Sequence, residues 1–393
     1  MSILIRKHHG EFQLSKIGKL AFIGSIGGLA SAFITTIWAV YLNNFLGNSA
    51  QVGLVSALLS FIAILSYFVF IPLIEKSSKS KLFVLSLIIF GISYLLFSII
   101  DNFYLFLLVA VVVNIFYAIR ITTFGLIIKD KSPRKRLPRN EGLIYTFANF
   151  SWVIGPLMAG YIASKFGNKT IFFIASLLIF LCIIIFFISG IKDNKKERYA
   201  DKNIFKNIKD FLNNKNRVIT YIIGSGPSFW WSMIYLFIPL YIINNGLNEL
   251  LIGYFLFAIP IPLILLEYKF SKLTSKIGFR KLFKLGFLIA AIASIICFFV
   301  PNYYIVLIIL ILASIGLAML EPTTEAYYFK ILDKKEEQRF YGPYNTRIEI
   351  GGLLGKFIPS LLILILPFDY IFLIFGIAML FFFFISFKAK EVY

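Results

Sequence analysis

KDNKKERYADKNIFKNIKDFLNNKNR, residues Lys192 to Arg217, carries nine Lys/Arg and separates two long apolar territories. It joins two similar halves, as an offset of 200 positions shows. Ile23-Gly24-Ser25 returns as Ile223-Gly224-Ser225, and Tyr41, Asn44 and Gly53 return as Tyr241, Asn244 and Gly253. Asn102 and Tyr104 return as Asn302 and Tyr304; Arg139, Gly142, Thr146 and Gly155 return as Arg339, Gly342, Thr346 and Gly355. Apolar coincidences carry little weight in a chain this rich in Ile, Leu and Phe. Polar and glycine matches at one ungapped offset are another matter, and they mark an internal repeat. Residues 1–191, 192–217 and 218–393 are accordingly expected to be an N-terminal bundle, a basic linker and a C-terminal bundle.

Composition places those bundles in a membrane. Hydrophobic residues make up 59% of the chain and charged residues 15%, against about a quarter charged in a soluble domain. Twelve apolar runs are each long enough, at about 1.5 Å per residue, to cross a core of about 30 Å. They are 18–42, 51–74, 82–100, 103–128, 142–164, 170–191, 218–243, 250–268, 283–300, 303–329, 342–366 and 370–387. In lipid the backbone must satisfy its own hydrogen bonds, so the runs are read as helices. The first is too long for a cleaved signal segment and is taken as the first span. Cys182 and Cys297 both fall inside apolar runs and are expected to be unbonded.

The net charge of +20 would suggest nucleic acid in a soluble chain. Its placement argues otherwise. Thirty-two of the 39 Lys/Arg lie in the two terminal arms and in the connectors after even-numbered runs, Lys19 and Lys284 lie at the adjoining ends of runs, and two lie in the remaining connectors. That asymmetry puts both termini in the cytoplasm and makes the basic residues a girdle at the inner leaflet. Within the linker, Ile204, Phe205, Ile208, Phe211 and Leu212 share one face at helical spacing. This suits either a short helix on the anionic leaflet or a solvated connector with local helicity.

Three local patterns, with the twelve runs and the 6+6 repeat, make the chain resemble the major facilitator superfamily. After the second run, Pro72 to Lys81 is similar to that family's Gly–Asp–Arg–Gly-rich turn, with Glu75 and Lys76 where the family has Asp and Arg. The glycines are gone, and the turn reads equally as a plain positive-inside loop. In the fifth run, Gly142, Ser151, Gly155-Pro156 and Ala159-Gly160 keep the spacing of a glycine motif found in efflux-type members. Such a row of small residues lets helices approach closely, and Pro156 opens a backbone carbonyl. The stretch Ile127 to Gly142 resembles the elbow between the fourth and fifth spans. The resemblance implies an all-α integral membrane protein of two pseudo-symmetric six-helix bundles, N-in/C-in. It further implies alternating access, with the first, fourth, seventh and tenth spans lining a central cavity.

Charges inside the apolar runs are the candidate site. They are Arg120 in the fourth run, Glu321 and Glu325 in the tenth, and Arg347, Glu349 and Lys356 in the eleventh. A mid-bilayer charge costs on the order of 2.5–3.5 kcal/mol on insertion scales, so each should face a cavity or a partner. Three cations against three carboxylates can neutralise one another as a structural network, or bind substrate and protons. Arg120 and Glu321 stand at near-equal depth and are expected either to pair as a conformational latch or to separate in role. In the second case Glu321 would pair with Arg347 and Arg120 would take an anion. Glu325 with Arg347 is a further expected pair. Trp230 and Trp231, just after Gly226-Pro227, are read either as a substrate shelf beside a helix break or as anchors at the membrane interface, though they lie about thirteen residues inside the run.

The reading is a secondary transporter of a small organic solute, proton-coupled, leaning to efflux or antiport, in the plasma membrane. The same fold would serve an uptake symporter. A polytopic membrane enzyme is disfavoured, since His8 and His9 are the only histidines and no metal or nucleophile spacing occurs. A non-transporting sensor is the third class. No cofactor and no nucleic acid are expected; the lipid bilayer, a small solute and protons are, and the protein is expected to act as a monomer.

Overall fold

The computed structural model describes residues 5–8, 11–132, 137–191 and 204–392. Helices dominate, as the apolar runs require. Along the first half they are α1 (Lys16–Leu46), α2 (Ser49–Lys76), α3 (Lys79–Ile99), α4 (Phe103–Lys131), α5 (Leu137–Phe166) and α6 (Asn168–Ile188). The linker forms α7 (Ile204–Leu212). Then come α8 (Lys215–Ser232), α9 (Ile238–Asn244), α10 (Glu249–Ala258), α11 (Ile261–Ile277) and α12 (Phe279–Phe299), followed by α13 (Tyr303–Ile331), α14 (Lys334–Leu362) and α15 (Tyr370–Ser386). A two-stranded antiparallel hairpin precedes α1, with β1 (Ile5–His8) and β2 (Glu11–Leu14) in a register that pairs Ile5 with Leu14. The sequence reading assigned no strand there.

Among the described residues, ten stretches are long and apolar enough to cross a membrane. Helix α14 is not one of them, because its polar and charged residues interrupt the apolar pattern. Helix α15 is apolar throughout but has 17 residues. Side chains at the loops set the helix starts. Asn102 and Asn302 each accept from two backbone N–H groups of the following turn, at 2.9–3.1 Å and 2.9–3.2 Å, satisfying donors a helix start leaves open.

The chain packs as two compact units. The first holds residues up to Tyr41, Leu58–Tyr199 and Asn248–Tyr254; the second holds Leu42–Ala57, Ala200–Leu247 and Phe255–Tyr393. Contacts in one unit recur 200 positions later in the other. A Cβ built on Gly155 would come 2.6 Å from the Ala32 Cβ, and one on Gly355 would come 2.9 Å from the Ser232 Cβ. Ser25 and Ser151 share a 2.8 Å hydrogen bond, and the equivalent pair Ser225 and Gly351 is again in contact. Tyr41 meets Phe172 edge-on at 4.6 Å, as Tyr241 meets Phe372 at 5.0 Å. Ser176 donates to the Gly91 carbonyl, and a Cβ on Gly376 would lie 3.4 Å from the Ala291 carbonyl.

The closest backbone approaches follow the same rule. In the first unit a Cβ on Gly160 would lie 2.7 Å from the Gly253 Cα, and one on Gly253 would lie 2.8 Å from the Pro156 carbonyl. In the second, a Cβ on Gly53 would lie 2.9 Å from the Ser360 Cβ. Gly53 and Gly253 are repeat partners, and so are Gly160 and Ser360. Small residues at these four places let helix backbones meet directly.

The linker does form a short helix, and protein covers part of its apolar face. Phe211 is fully buried among Tyr328, Leu332, Phe340 and Tyr344, with Tyr221 alongside. Arg339 donates to Asn207 at 2.8 Å and ion-pairs with Asp210. The Phe211 side of α7 therefore docks on α14, α8 and the end of α13, while Leu212 stays exposed. Polar partners at the rim fix its orientation, and burial of Phe211 supplies the apolar gain.

Candidate functional site

Helix α8 continues through Pro227, so the expected break is not there. The irregularity comes one turn later, as a π-helical turn over Met233–Phe237 in which the Ile238 N–H reaches the Met233 carbonyl. Such turns offset the side chains that follow and occur often at functional positions. Trp230 is fully buried, whereas Trp231 is partly exposed. Adjacent helical residues point about 100° apart, so the two indoles do not form one shelf.

Trp231 reaches the carboxylate of Glu321 on α13, donating from its indole Nε1. Tyr235, one turn along, stacks near Trp231 with ring centroids 5.5 Å apart. Glu267 on α11 lies within electrostatic range of Glu321. Two acids and two aromatics from four elements are thus gathered in the second unit. Among the described residues no Lys or Arg forms an ion pair with Glu321. Glu267 falls one residue from the end of the eighth apolar run, where a charge is ordinarily free to snorkel. Nothing in the sequence placed α11 beside α13.

Arg347 pairs with Glu325 at 3.5 Å, as one sequence expectation had it, and not with Glu321, as the alternative had it. Its guanidinium lies 3.8 Å over the Tyr344 ring and donates to Asn345 at 2.8 Å. Tyr341 donates to Glu325 at 2.6 Å, and Tyr344 to the Thr324 carbonyl at 2.9 Å. Gly224 makes room for the arrangement, since a Cβ there would come 2.6 Å from Arg347 Cδ. Arg347 Nε, like that of Arg120, is buried without a hydrogen-bond partner, but the charge of Arg347 is met by Glu325 and the group reads as architecture. Glu349 and Lys356 feel each other along α14, two turns apart on one face.

In the first unit, Arg120 on α4 points toward α1 and α3. It donates to Ser31 at 3.4 Å, and its guanidinium lies 4.7 Å from the Phe90 ring centroid and 5.9 Å from that of Tyr117. Its Nε is buried without a hydrogen-bond partner.

The motif residues serve packing. Gly155, Pro156 and Gly160 line the close approaches already described, whereas a Cβ on Gly142 would meet nothing within 4 Å. Lys79, the first residue of α3, pairs with Asp130 at the end of α4 at 2.7 Å, joining two patterns read separately in the sequence. The side chains of Glu75 and Lys76 lie outside the described residues.

A pseudo-symmetric helical protein with ten membrane-length apolar helices and charges held among them belongs to the class of multi-pass membrane transporters. The profile of the Major Facilitator Superfamily matches residues 20–266 and 260–392, and the chain belongs to that family. An uncharacterized MFS-type transporter of Methanocaldococcus jannaschii is 24% identical over 83% of this chain and 86% of its own length. The quinolone resistance protein NorA of Staphylococcus aureus is 23% identical over 85% of this chain and 86% of its own. Among solved structures, a POT family transporter in complex with 5-aminolevulinic acid aligns over 98% of both chains with TM-score 0.76 and 12% identity. A bacterial homolog of the human lysosomal transporter Spinster aligns over 95% of this chain and 96% of its own, with TM-score 0.75 and 15% identity. The two structural likenesses speak to the fold.

Proposed function

We propose that the chain is a proton-driven exporter of small organic solutes in the plasma membrane, with twelve spans, both termini in the cytoplasm, and alternating access between two bundles. The observation that carries it is Glu321: a carboxylate about two-thirds of the way along α13, held by the Trp231 indole, within electrostatic range of Glu267, with no ion-paired cation among the described residues. A carboxylate inside a membrane is costly to keep charged and is retained where it exchanges a proton or meets a cationic group of the cargo. Trp231 and Tyr235 add a face on which an aromatic or cationic solute can rest. Export is favoured by the small-residue row in α5 and by the relative named for quinolone resistance.

The test is transport in proteoliposomes with an imposed pH gradient and a panel of fluorescent organic dyes. Wild type should move dye against its gradient when protons flow the other way. Glu321→Gln should lose that drive while retaining dye counterflow, because exchange of bound solute needs no net proton movement. Dye moving in the same direction as the proton would establish uptake symport instead.

A further inference from the structure

We propose that Arg120 is the centre of a second binding subsite, one that takes the carboxylate of an organic anion. The inference rests on the transporter reading and adds a substrate class to it. The argument begins with charge. Helices α1 to α6 contain acidic residues only at Glu75, Asp130 and Glu141, each within a few residues of a helix end. Asp130 is ten residues from Arg120, about 15 Å along the helix, and is already paired with Lys79. Among the described residues no carboxylate forms an ion pair with Arg120. Arg347, by contrast, has its own glutamate in the second unit. A guanidinium does not lose its proton, so Arg120 cannot become neutral to suit its surroundings.

Geometry says what would satisfy it. A guanidinium offers five N–H donors in its plane and a face above it. The face is taken by Phe90 at 4.7 Å. Of the donors, one makes a long 3.4 Å bond to Ser31, whose own hydroxyl donates to the Gly27 carbonyl, and the buried Nε has no acceptor. Gly27 lies beside the guanidinium: a Cβ there would sit in ordinary contact, 3.9 Å from Arg120 Nη1 and 3.9 Å from Cys182 Sγ. An in-plane edge with unused donors is the fork that matches a carboxylate with two parallel hydrogen bonds. Phe90 is buried under the guanidinium, whereas the partly exposed ring of Tyr117 supplies an apolar face for the body of the molecule, which favours an aromatic or short aliphatic acid over a bare inorganic ion.

The experiment uses the full chain in phosphatidylcholine nanodiscs and three probes of one shape: benzoate, benzamide and benzylammonium. Binding is followed by intrinsic fluorescence and by the shift in melting temperature. Benzoate should bind saturably and about tenfold or more tighter than benzamide, with benzylammonium weakest. Arg120→Gln should weaken benzoate about tenfold or more and leave benzamide unchanged, and Arg120→Lys should fall between, since an ammonium keeps the charge without the fork. Equal affinity for benzoate and benzamide in wild type overturns the proposal even where Arg120→Gln fails to fold. Unchanged benzoate binding in a well-folded Arg120→Gln also overturns it. Adding phosphatidylglycerol to the discs separates solute from lipid: loss of benzoate binding there, dependent on Arg120, would assign the site to a headgroup and overturn the solute claim. None of these readings uses dye transport, so failure of the exporter proposal and failure of the anion subsite are seen separately.

Discussion

Gly355 and Gly142 give opposite expectations at the same residue type. Gly355→Val places a branched side chain where the Cβ alone would sit 2.9 Å from Ser232, so a loss of about 1–3 kcal/mol is expected, read as a lower melting temperature in detergent. Gly142→Ala meets no neighbour within 4 Å and should be neutral or stabilising by up to about 1 kcal/mol, through removal of backbone freedom. Arg347 and Glu325 differ in the same way. Glu325 is 41% exposed, so Glu325→Gln should cost about 1 kcal/mol or less, whereas Arg347, at 5%, would leave a gap beside Gly224. Arg347→Ala should therefore lower the melting temperature distinctly more than Glu325→Gln. The sequence located each interior charge by its cost in lipid, but not its partner. Glu321 and Glu325 are both on α13 and carry the same charge; only the packed positions of α8, α11 and α14 give one of them Trp231 and Glu267 and the other Arg347 and Tyr341.

At the scale of single elements, α7 is the clearest case. Its amphipathic spacing was plain in Ile208, Phe211 and Leu212, yet spacing cannot say what the apolar face meets. Helix α14 carries Arg339 and Phe340 near its start, and these turn a surface helix into a docked one. Phe340 lies between two guanidiniums, Arg217 at 4.2 Å and Arg339 at 4.9 Å from its ring centroid, and Phe211 meets it edge-on at 5.9 Å. Phe211→Ala should release the helix: loss of a buried aromatic costs about 3–5 kcal/mol locally, more than a nine-residue helix can replace by its own propensity. Hydrogen exchange over residues 204–212 should rise by at least tenfold while α12 and α15 stay protected. The π-helical turn after α8 had no sequence signal, because Gly226-Pro227 drew attention to a position where the helix continues.

The whole molecule was the most legible level, since an ungapped repeat of polar and glycine residues survives drift in the apolar ones. Contacts at Ala32–Gly155 and Ser232–Gly355 show the repeat operating as structure and not only as sequence likeness. The proposed topology has its own test. Cys182 and Cys297 are buried and unbonded, each with its thiol toward a backbone carbonyl, at 3.6 Å and 3.7 Å. They should stay silent to a membrane-impermeant maleimide. A cysteine at Gly47 or Asp101 should then label in intact cells, and one at Asn213 or Lys388 only after the membrane is opened. The reverse pattern would invert the assigned orientation and with it the sign of every transport experiment above.

The docking of Phe211 on Phe340 also has a consequence for how the chain is made. The two residues are 129 positions apart, and the linker leaves the ribosome first. At about 5–20 residues per second, α7 waits roughly 6–26 s before its partner exists. During that interval its apolar face has no protein surface from α14 to cover it, and the anionic leaflet is the nearest alternative, suited to Lys206 and Lys209. The nascent linker is thus expected to rest on lipid first and to transfer to α14 only when synthesis is nearly complete, so that seating of α7 marks the end of assembly.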